Sequence, residues 1–283
     1  MMNRRSFLKY TLSTLSVIAA SGGLYYYAHK IEPASLHVKR NDIHSKNIPT
    51  AFHDFKVVQI SDTHLGFQYT VKQFKQMCIE VNKLNPDIVV FTGDLIDKPH
   101  TFKTDPTMID ALHSIKTNHG KFWVYGNHDH GGNGTKQITD LMDRADFKLV
   151  NNSHSAIKIN NEQIIVAGID DASLGKPSLE EAFQHVDQDD FSILLSHAPD
   201  YADFAKDFPV DVQLSGHSHG GQVRLPFIGH LYTPKYAKKY VNGAYDITDR
   251  LKLIVSKGIG TTRMPFRFLC KPEINVVTLK RQK

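Results

Sequence analysis

Five times along this 283-residue chain a short apolar run stops and a compact polar motif follows at once. The motifs are Asp62-Thr63-His64, Gly93-Asp94, Gly126-Asn127-His128-Asp129, Ser196-His197 and Gly216-His217-Ser218-His219. Apolar runs of this length, rich in Val, Ile and Leu, read as buried strands. The first three motifs begin about 30 residues apart, the length of a strand-helix-strand unit. Parallel strands so spaced gather their carboxyl-end loops at one edge, where open α/β sheets place their sites.

Strands are expected at 56–60, 87–92, 122–125, 156–159, 163–169, 192–195, 210–214, 251–255 and 274–279. Helices are expected near 70–84, 106–116, 135–144, 178–186 and 199–206, and Asn160-Asn161 between two apolar runs marks a hairpin. The pattern is α/β early, with more adjacent strands late. Two mixed sheets packed on one another with helices outside satisfy it, because each sheet then buries one face on the other. With 41% hydrophobic residues, the chain suits one globular domain with a substantial core.

Of the three Asp, one Asn and five His in these motifs, two Asp, the Asn and four His supply ligand atoms in the positions that a strand end would bring together. Carboxylate and amide oxygens with neutral imidazole nitrogens suit borderline divalent metals such as Mn, Zn or Fe. Buried carboxylates without a cationic partner are costly, and metal ions remove that penalty. His53, His100, His113 and His185 lie outside the motifs and read as ordinary surface or helix residues. Asp97 has two readings, a hydrogen bond near the site or a cap on the turn Asp97-Lys98-Pro99, and Asp170-Asp171 reads as a turn after a strand.

In this order the motifs resemble the calcineurin-like metallophosphoesterase superfamily: D-x-H, G-D, G-N-H-D/E, a lone His, then G-H-x-H, over about residues 54–280. A nearer likeness is to an exported bacterial branch related to lipid A pathway pyrophosphatases and phosphodiesterases. It is carried by the stretch from Gly220-Gly221-Gln222 through Arg224 to Pro226 and by Lys257 to Arg267. The resemblance implies a four-layer α-β-β-α sandwich with a dinuclear metal site at the strand ends. It also implies a metal-dependent phosphoester hydrolase. It assigns Asp62, His64 and His219 to one ion, Asn127, His197 and His217 to the other, and Asp94 to both. His128 would stand beside the phosphate and protonate the leaving oxygen, with Asp129 orienting it.

Arg224, Arg263 and Arg267 are candidate contacts to a second phosphate or another anionic group, since a guanidinium fork matches phosphate oxygens. The other reading makes them solvated rim residues. Around them Phe227, Leu231, Tyr232, Tyr236, Tyr240, Met264, Phe266 and Phe268 interleave with Lys235, Lys238 and Lys239, a mixture that suits an anionic lipid surface or wall polymer, or closure over the core. The expected activity is a phosphodiesterase acting on a phospholipid-like or cell-envelope phosphoester. The alternatives are a phosphomonoesterase or nuclease of the same fold, and an exported metal-stabilised binding protein.

The first 29 residues are expected to be a twin-arginine signal peptide or an N-terminal anchor, because Asn3-Arg4-Arg5-Ser6-Phe7-Leu8-Lys9 resembles the twin-arginine motif and an uncharged stretch follows. Asn before the Arg pair departs from the usual Ser or Thr. A polar connector is expected over 30–50 and the catalytic domain over 51–283. The translocation machinery would then be a partner, and the destination the cell wall, the periplasm or the outer face of the cytoplasmic membrane. The chain carries 34 basic and 29 acidic residues; without Arg4, Arg5 and Lys9 the count is 31 against 29, which gives no support to nucleic acid as a partner. Cys78 and Cys270 are the only cysteines and make no disulfide framework.

Overall fold

The computed structural model describes residues 3–282; Met1, Met2 and Lys283, which belong to the expected leader and domain, lie outside the described residues. Helix α1 (Arg4–Tyr26) starts at Asn3, whose side chain accepts the Ser6 amide at 2.9 Å, and buries none of its side chains. Among the described residues no helix, α1 included, is long and apolar enough to cross a membrane. A π-helical turn (Tyr27–Ile31) and a 3-10 turn (Glu32–Ala34) lead to strand β1 (His37–Ser45).

The chain then alternates β2 (Lys56–Ile60), α2 (Val71–Lys83), β3 (Ile88–Phe91), α3 (Pro106–His113), β4 (Lys121–Trp123), α4 (Asn127–His130), α5 (Thr135–Arg144) and β5 (Phe147–Leu149). Strands β6 (Ser153–Ile159) and β7 (Glu162–Gly168) form the expected hairpin at Asn160-Asn161. Next come α6 (Leu179–Ala182), β8 (Phe191–Leu195), α7 (Ala202–Ala205) and β9 (Val212–Ser215). A small hairpin of β10 (Arg224–Leu225) and β11 (Gly229–His230) precedes β12 (Gly243–Asp246), β13 (Lys252–Val255) and β14 (Glu273–Arg281).

Two six-stranded mixed sheets result, in the orders β1-β14-β2-β3-β4-β5 and β12-β13-β9-β8-β7-β6. Strands β2 to β5 run parallel in the first, and β7, β8, β9 and β13 run parallel in the second. Alternation along each strand sorts the core into layers. Ile88 and Val90 of β3 face Ile164, Ile193 and Leu214 between the sheets, while Val89 and Phe91 turn outward to Phe74, Met77, Leu112 and Ile138 on α2, α3 and α5. On the far side Ile165, Ala167 and Leu194 meet Leu179, Ala182 and Ala205 of α6 and α7. This is the four-layer α-β-β-α sandwich.

Helix α2 forms where its pattern indicates, because Thr70 and Gln73 make a capping box and Phe74, Met77, Cys78 and Val81 line one buried stripe. Residues 37–45, inside the expected connector, instead form an edge strand paired in parallel with β14. Ile43 is its one fully buried side chain, so the strand lacks the apolar alternation that would reveal it. The helices expected at 178–186 and 199–206 shrink to single α-helical turns. Cys78 and Cys270 are buried free thiols.

Candidate metal centre

The motif loops follow β2, β3 and β4 in one sheet and β8 and β9 in the other, so both sheets deliver their parallel carboxyl ends to one place. Close approach there requires glycine. A Cβ on Gly126 would collide with the Asp94 carboxylate, and one on Gly216 with Ser61 and Asp62. The loops are also strained: Asp62, His64, Asp94, His217 and His219 all have positive φ, between 42° and 66°. Left-handed backbone is disfavoured in each of these residues, and its concentration here marks a site that the surrounding fold holds in place.

Two clusters of donors converge, Asp62 with His64 and His219, and Asp94 with His197 and His217. Asp94 joins them: its Oδ2 lies 3.4 Å from His64 Nε2 and 3.3 Å from His197 Nε2. His219 Nε2 is 3.1 Å from His64 Nε2 and 3.5 Å from Asp62 Oδ1. All of these side chains are buried or nearly so.

The residues fit a pair of divalent cations on grounds internal to the structure. Asn127 Oδ1 and His197 Nε2 are buried with no hydrogen-bond partner, which is costly unless something else meets them. The opposite ring nitrogens are committed: His197 Nδ1 donates to Thr92 O at 2.7 Å and His217 Nε2 to Lys235 O at 2.8 Å, while His64 Nδ1 faces Asp97 Oδ1 at 3.2 Å. Ligating imidazoles are oriented by such bonds, which leave the other nitrogen's lone pair pointing into the site. Burial and the neighbouring His197 push His217 down to about 3, and burial with His64 nearby pushes His219 well below the usual histidine range, so both are neutral imidazoles. Asp94 stays well below the usual carboxylate range, although burial opposes this, because His197 and His128 stand beside it.

His128 is half-buried and lines the cavity next to this cluster. Its amide donates to Asp94 Oδ1 at 2.8 Å, and its Nδ1 donates to the Asp97 carbonyl at 2.6 Å, leaving Nε2 as its free nitrogen. Burial lowers its pKa, but the Asp94 carboxylate together with the Asp97 carbonyl and the Asp97 and Asp129 charges outweighs this and raises it above the ordinary value.

Asp129 does not orient His128, as the resemblance implied. Its carboxylate is fully buried and accepts the amides of Gly126, Asp94 and Leu95, so it braces backbone instead of imidazole. Burial and the Asp94 charge raise its pKa to about 6. The orienting residue is Asp97, which serves His128 through its carbonyl, and His64 and Thr262 through Oδ1.

A cavity of about 360 Å³ opens from the cluster. Of the three candidate arginines, Arg263 lines it, with its Nη1 donating to Tyr232 Oη at 2.6 Å. Arg224 is outside the lining, and its Nη1 is tied to Gly220 O at 2.9 Å. Arg267 is no substrate contact: it is fully buried and its guanidinium donates to the carbonyls of Lys257, Gly260 and Cys270. The turn at Asp170-Asp171 also belongs here, since Ser173 and Leu174 just beyond it form part of the cavity wall. It could have been read from its place at the carboxyl end of β7, which runs parallel to β8.

Residues 55–221 match the calcineurin-like phosphoesterase family. The chain is 42% identical to the metallophosphoesterase YkuE of Bacillus subtilis, over 99% of this chain and 98% of that protein. It is 27% identical to the phosphodiesterase YaeI of Escherichia coli, over 99% and 100% of the two chains. With the UDP-2,3-diacylglucosamine pyrophosphatase LpxG of Chlamydia muridarum it shares 25% identity over 96% and 97%. Two sheets that converge two clusters of Asp and His able to hold metal ions at their strand ends, together with these matches, make the chain a member of the calcineurin-like phosphoesterase family and a metal-dependent phosphoester hydrolase with a dinuclear site.

Proposed function

We propose that this hydrolase is a phosphodiesterase working outside the cytoplasm on a phospholipid-like or cell-envelope phosphoester, with Mn, Zn or Fe in its two sites. The observation that carries the reading is the cavity wall, where Arg263 stands with the apolar surfaces of Leu174, Tyr232 and Met264. A phosphodiester keeps a substituent on both sides of the reacting phosphate, and a wall that offers both cation and apolar surface accommodates an anionic group with hydrocarbon attached. The relatives YaeI, a phosphodiesterase, and LpxG, a UDP-2,3-diacylglucosamine pyrophosphatase, agree with that choice.

Two divalent ions held by Asp62, His64, Asp94, Asn127, His197, His217 and His219 would supply Lewis acidity toward the phosphoryl oxygens and make a water molecule nucleophilic near neutral pH. The protein's own part lies on the other side of the phosphorus. As the bond to the leaving oxygen breaks, His128 Nε2 passes its proton to that oxygen, while the Asp97 carbonyl keeps the ring from turning. Arg263 holds the anion beside it. Export rests on the Arg4-Arg5 pair, which would bring the chain to the twin-arginine translocation machinery and leave it at the wall, in the periplasm or on the outer face of the cytoplasmic membrane.

The test is hydrolysis of matched aryl phosphate diesters and monoesters by the protein reconstituted with Mn or Zn. Diester turnover that depends on metal supports the reading, whereas preference for the monoester makes the enzyme a phosphatase. For location, replacing both Arg4 and Arg5 by Lys should strand the protein inside the cell; unchanged export would reject the twin-arginine assignment.

A further inference from the structure

The cavity mouth is built by two segments with an unusual surface. Residues 212–245 and 250–272 contain no Asp or Glu, and Lys235, Lys238, Arg263 and Lys271 on them are exposed. The same segments expose large apolar side chains. Phe227 at the tip of the β10–β11 hairpin is 109% exposed and the adjacent Ile228 is 71% exposed, with Leu231, Tyr232, Met264 and Leu269 about half exposed beside them. Phe227 has φ of 66°, and a bulky residue in left-handed backbone is an outlier that a packing role does not explain. Tyr232 and Met264 also line the cavity, so the patch runs from the hairpin to the site.

The N-terminal segment enters the fold on this rim. Arg267 N donates to Ala28 O at 2.9 Å, and His29 Nδ1 donates to Pro265 O at 2.7 Å. The fully buried Glu32 carboxylate accepts the amides of Leu269 and Cys270, and the Tyr25 and Tyr27 rings pack edge-on against Phe266 and Phe268. Residues 25–34 are therefore part of the wall that carries Arg263 and Met264. Helix α1, whose apolar side chains are all unburied, leaves from the same wall and carries Arg4, Arg5 and Lys9 with no acid.

We propose that this rim is a membrane-docking surface, which seats on an anionic bilayer with Phe227 and Ile228 among the headgroups and opens the cavity onto phosphoesters displayed there. The inference deepens the envelope-phosphoester reading and rests on it for the substrate, while the docking stands on the surface itself. A soluble polyanion would satisfy the lysines and leave the apolar tip in water. A bilayer interface accepts both, through anionic headgroups for the cations and the acyl boundary for Phe227 and Ile228.

The experiment uses the full chain with phosphatidylcholine vesicles, with and without phosphatidylglycerol. Phe227→Cys carries an environment-sensitive fluorophore and Ile79→Cys, on the outer face of α2, is the control; Cys78 and Cys270 are buried and do not label. Lipids brominated on their acyl chains should quench the fluorophore at position 227 and not at 79, with anionic vesicles only, and salt should weaken the effect. Absent quenching at 227, equal quenching at both positions, or burial of the 227 fluorophore by self-association without lipid would each overturn the proposal. The double variant Phe227→Ser, Ile228→Ser should hydrolyse a soluble aryl phosphodiester as the parent does and lose about tenfold or more against a phosphoester held in vesicles; equal rates on vesicles would also overturn it. Failure of parent and variant alike on every phosphoester, with quenching intact, would count against the enzymatic reading and leave the docking supported.

Discussion

The carboxylate of Asp129 holds the backbone of Asp94: Oδ2 accepts the Asp94 amide at 2.8 Å while Oδ1 takes that of Leu95 at 3.1 Å. The same Oδ2 accepts the Gly126 amide at 2.8 Å, so one buried side chain ties together the two loops that carry Asp94 and Asn127. Asp129→Ala leaves three buried amides without an acceptor and should cost about 3 kcal/mol of stability or more. Urea unfolding gives the loss, and elemental analysis should show less metal per chain. A variant as stable and as metal-rich as the parent would refute the brace.

His128→Ala should keep both metals and slow turnover by about 10²- to 10⁴-fold. The loss should be greatest for alkyl leaving groups and smallest for nitrophenolate, which departs without a proton. Equal losses across a leaving-group series would remove His128 from the acid role and leave it a contact to the phosphate.

Asp97 faces two histidines: Oδ1 lies 3.2 Å from His64 Nδ1 and 3.7 Å from His128 Nδ1, but the hydrogen bond of His128 is to the carbonyl at 2.6 Å. Asp97→Ala removes the carboxylate beside His64 Nδ1 and keeps the carbonyl beside His128. Metal affinity should therefore fall by about 10- to 100-fold, with the rate of the fully loaded enzyme much less affected. Metal titration followed by assay at saturating metal separates the two, and a rate defect that saturating metal does not repair would contradict the division.

His130 Nε2 and Asp170 Oδ1 lie 2.7 Å apart and latch the 170–176 turn onto α4. Burial pulls His130 down, but Asp170 outweighs it and leaves the imidazole raised; burial pushes Asp170 up, and His130 with the Lys176 and Asp171 amides leaves it lowered. The raised histidine stabilises fully below the unfolded value of about 6.5, and that contribution is lost as pH rises through its folded pKa. The lowered aspartate stabilises above about 3.9 and loses its share as pH falls through its own. Asp170→Asn should thus be about 1–2 kcal/mol less stable near pH 5, with a gap that narrows on the alkaline side of His130's transition. Thermal unfolding across pH checks this, and a gap that stays constant would exclude the ion pair.

Strands β2, β3 and β4, and the clustering of Asp and His donors just behind them, were legible without coordinates. β2, β3 and β4 are short, mostly apolar strands buried on both faces, with Gln59 and Lys121 as their buried polar exceptions, so a His or Asp just past their ends stands out. The site's donors are local features of the chain, because each must follow its own strand directly. Strand β1 left no such trace, since an edge strand with one buried residue obeys no apolar pattern.

What only the tertiary structure decided was which polar atoms meet which. Asp129 and Asp97 both sit near His128 in the fold, and spacing cannot say that the first turns to backbone amides while the second holds the imidazole. Arg263 and Arg267 are four residues apart and equally cationic on paper, yet one lines the cavity and the other is spent on buried carbonyls. The reason is physical: a strand's identity is set by its own alternation of burial, whereas a side chain's role depends on acceptors supplied by segments as distant as Thr92 from His197, which come together only when both sheets have closed.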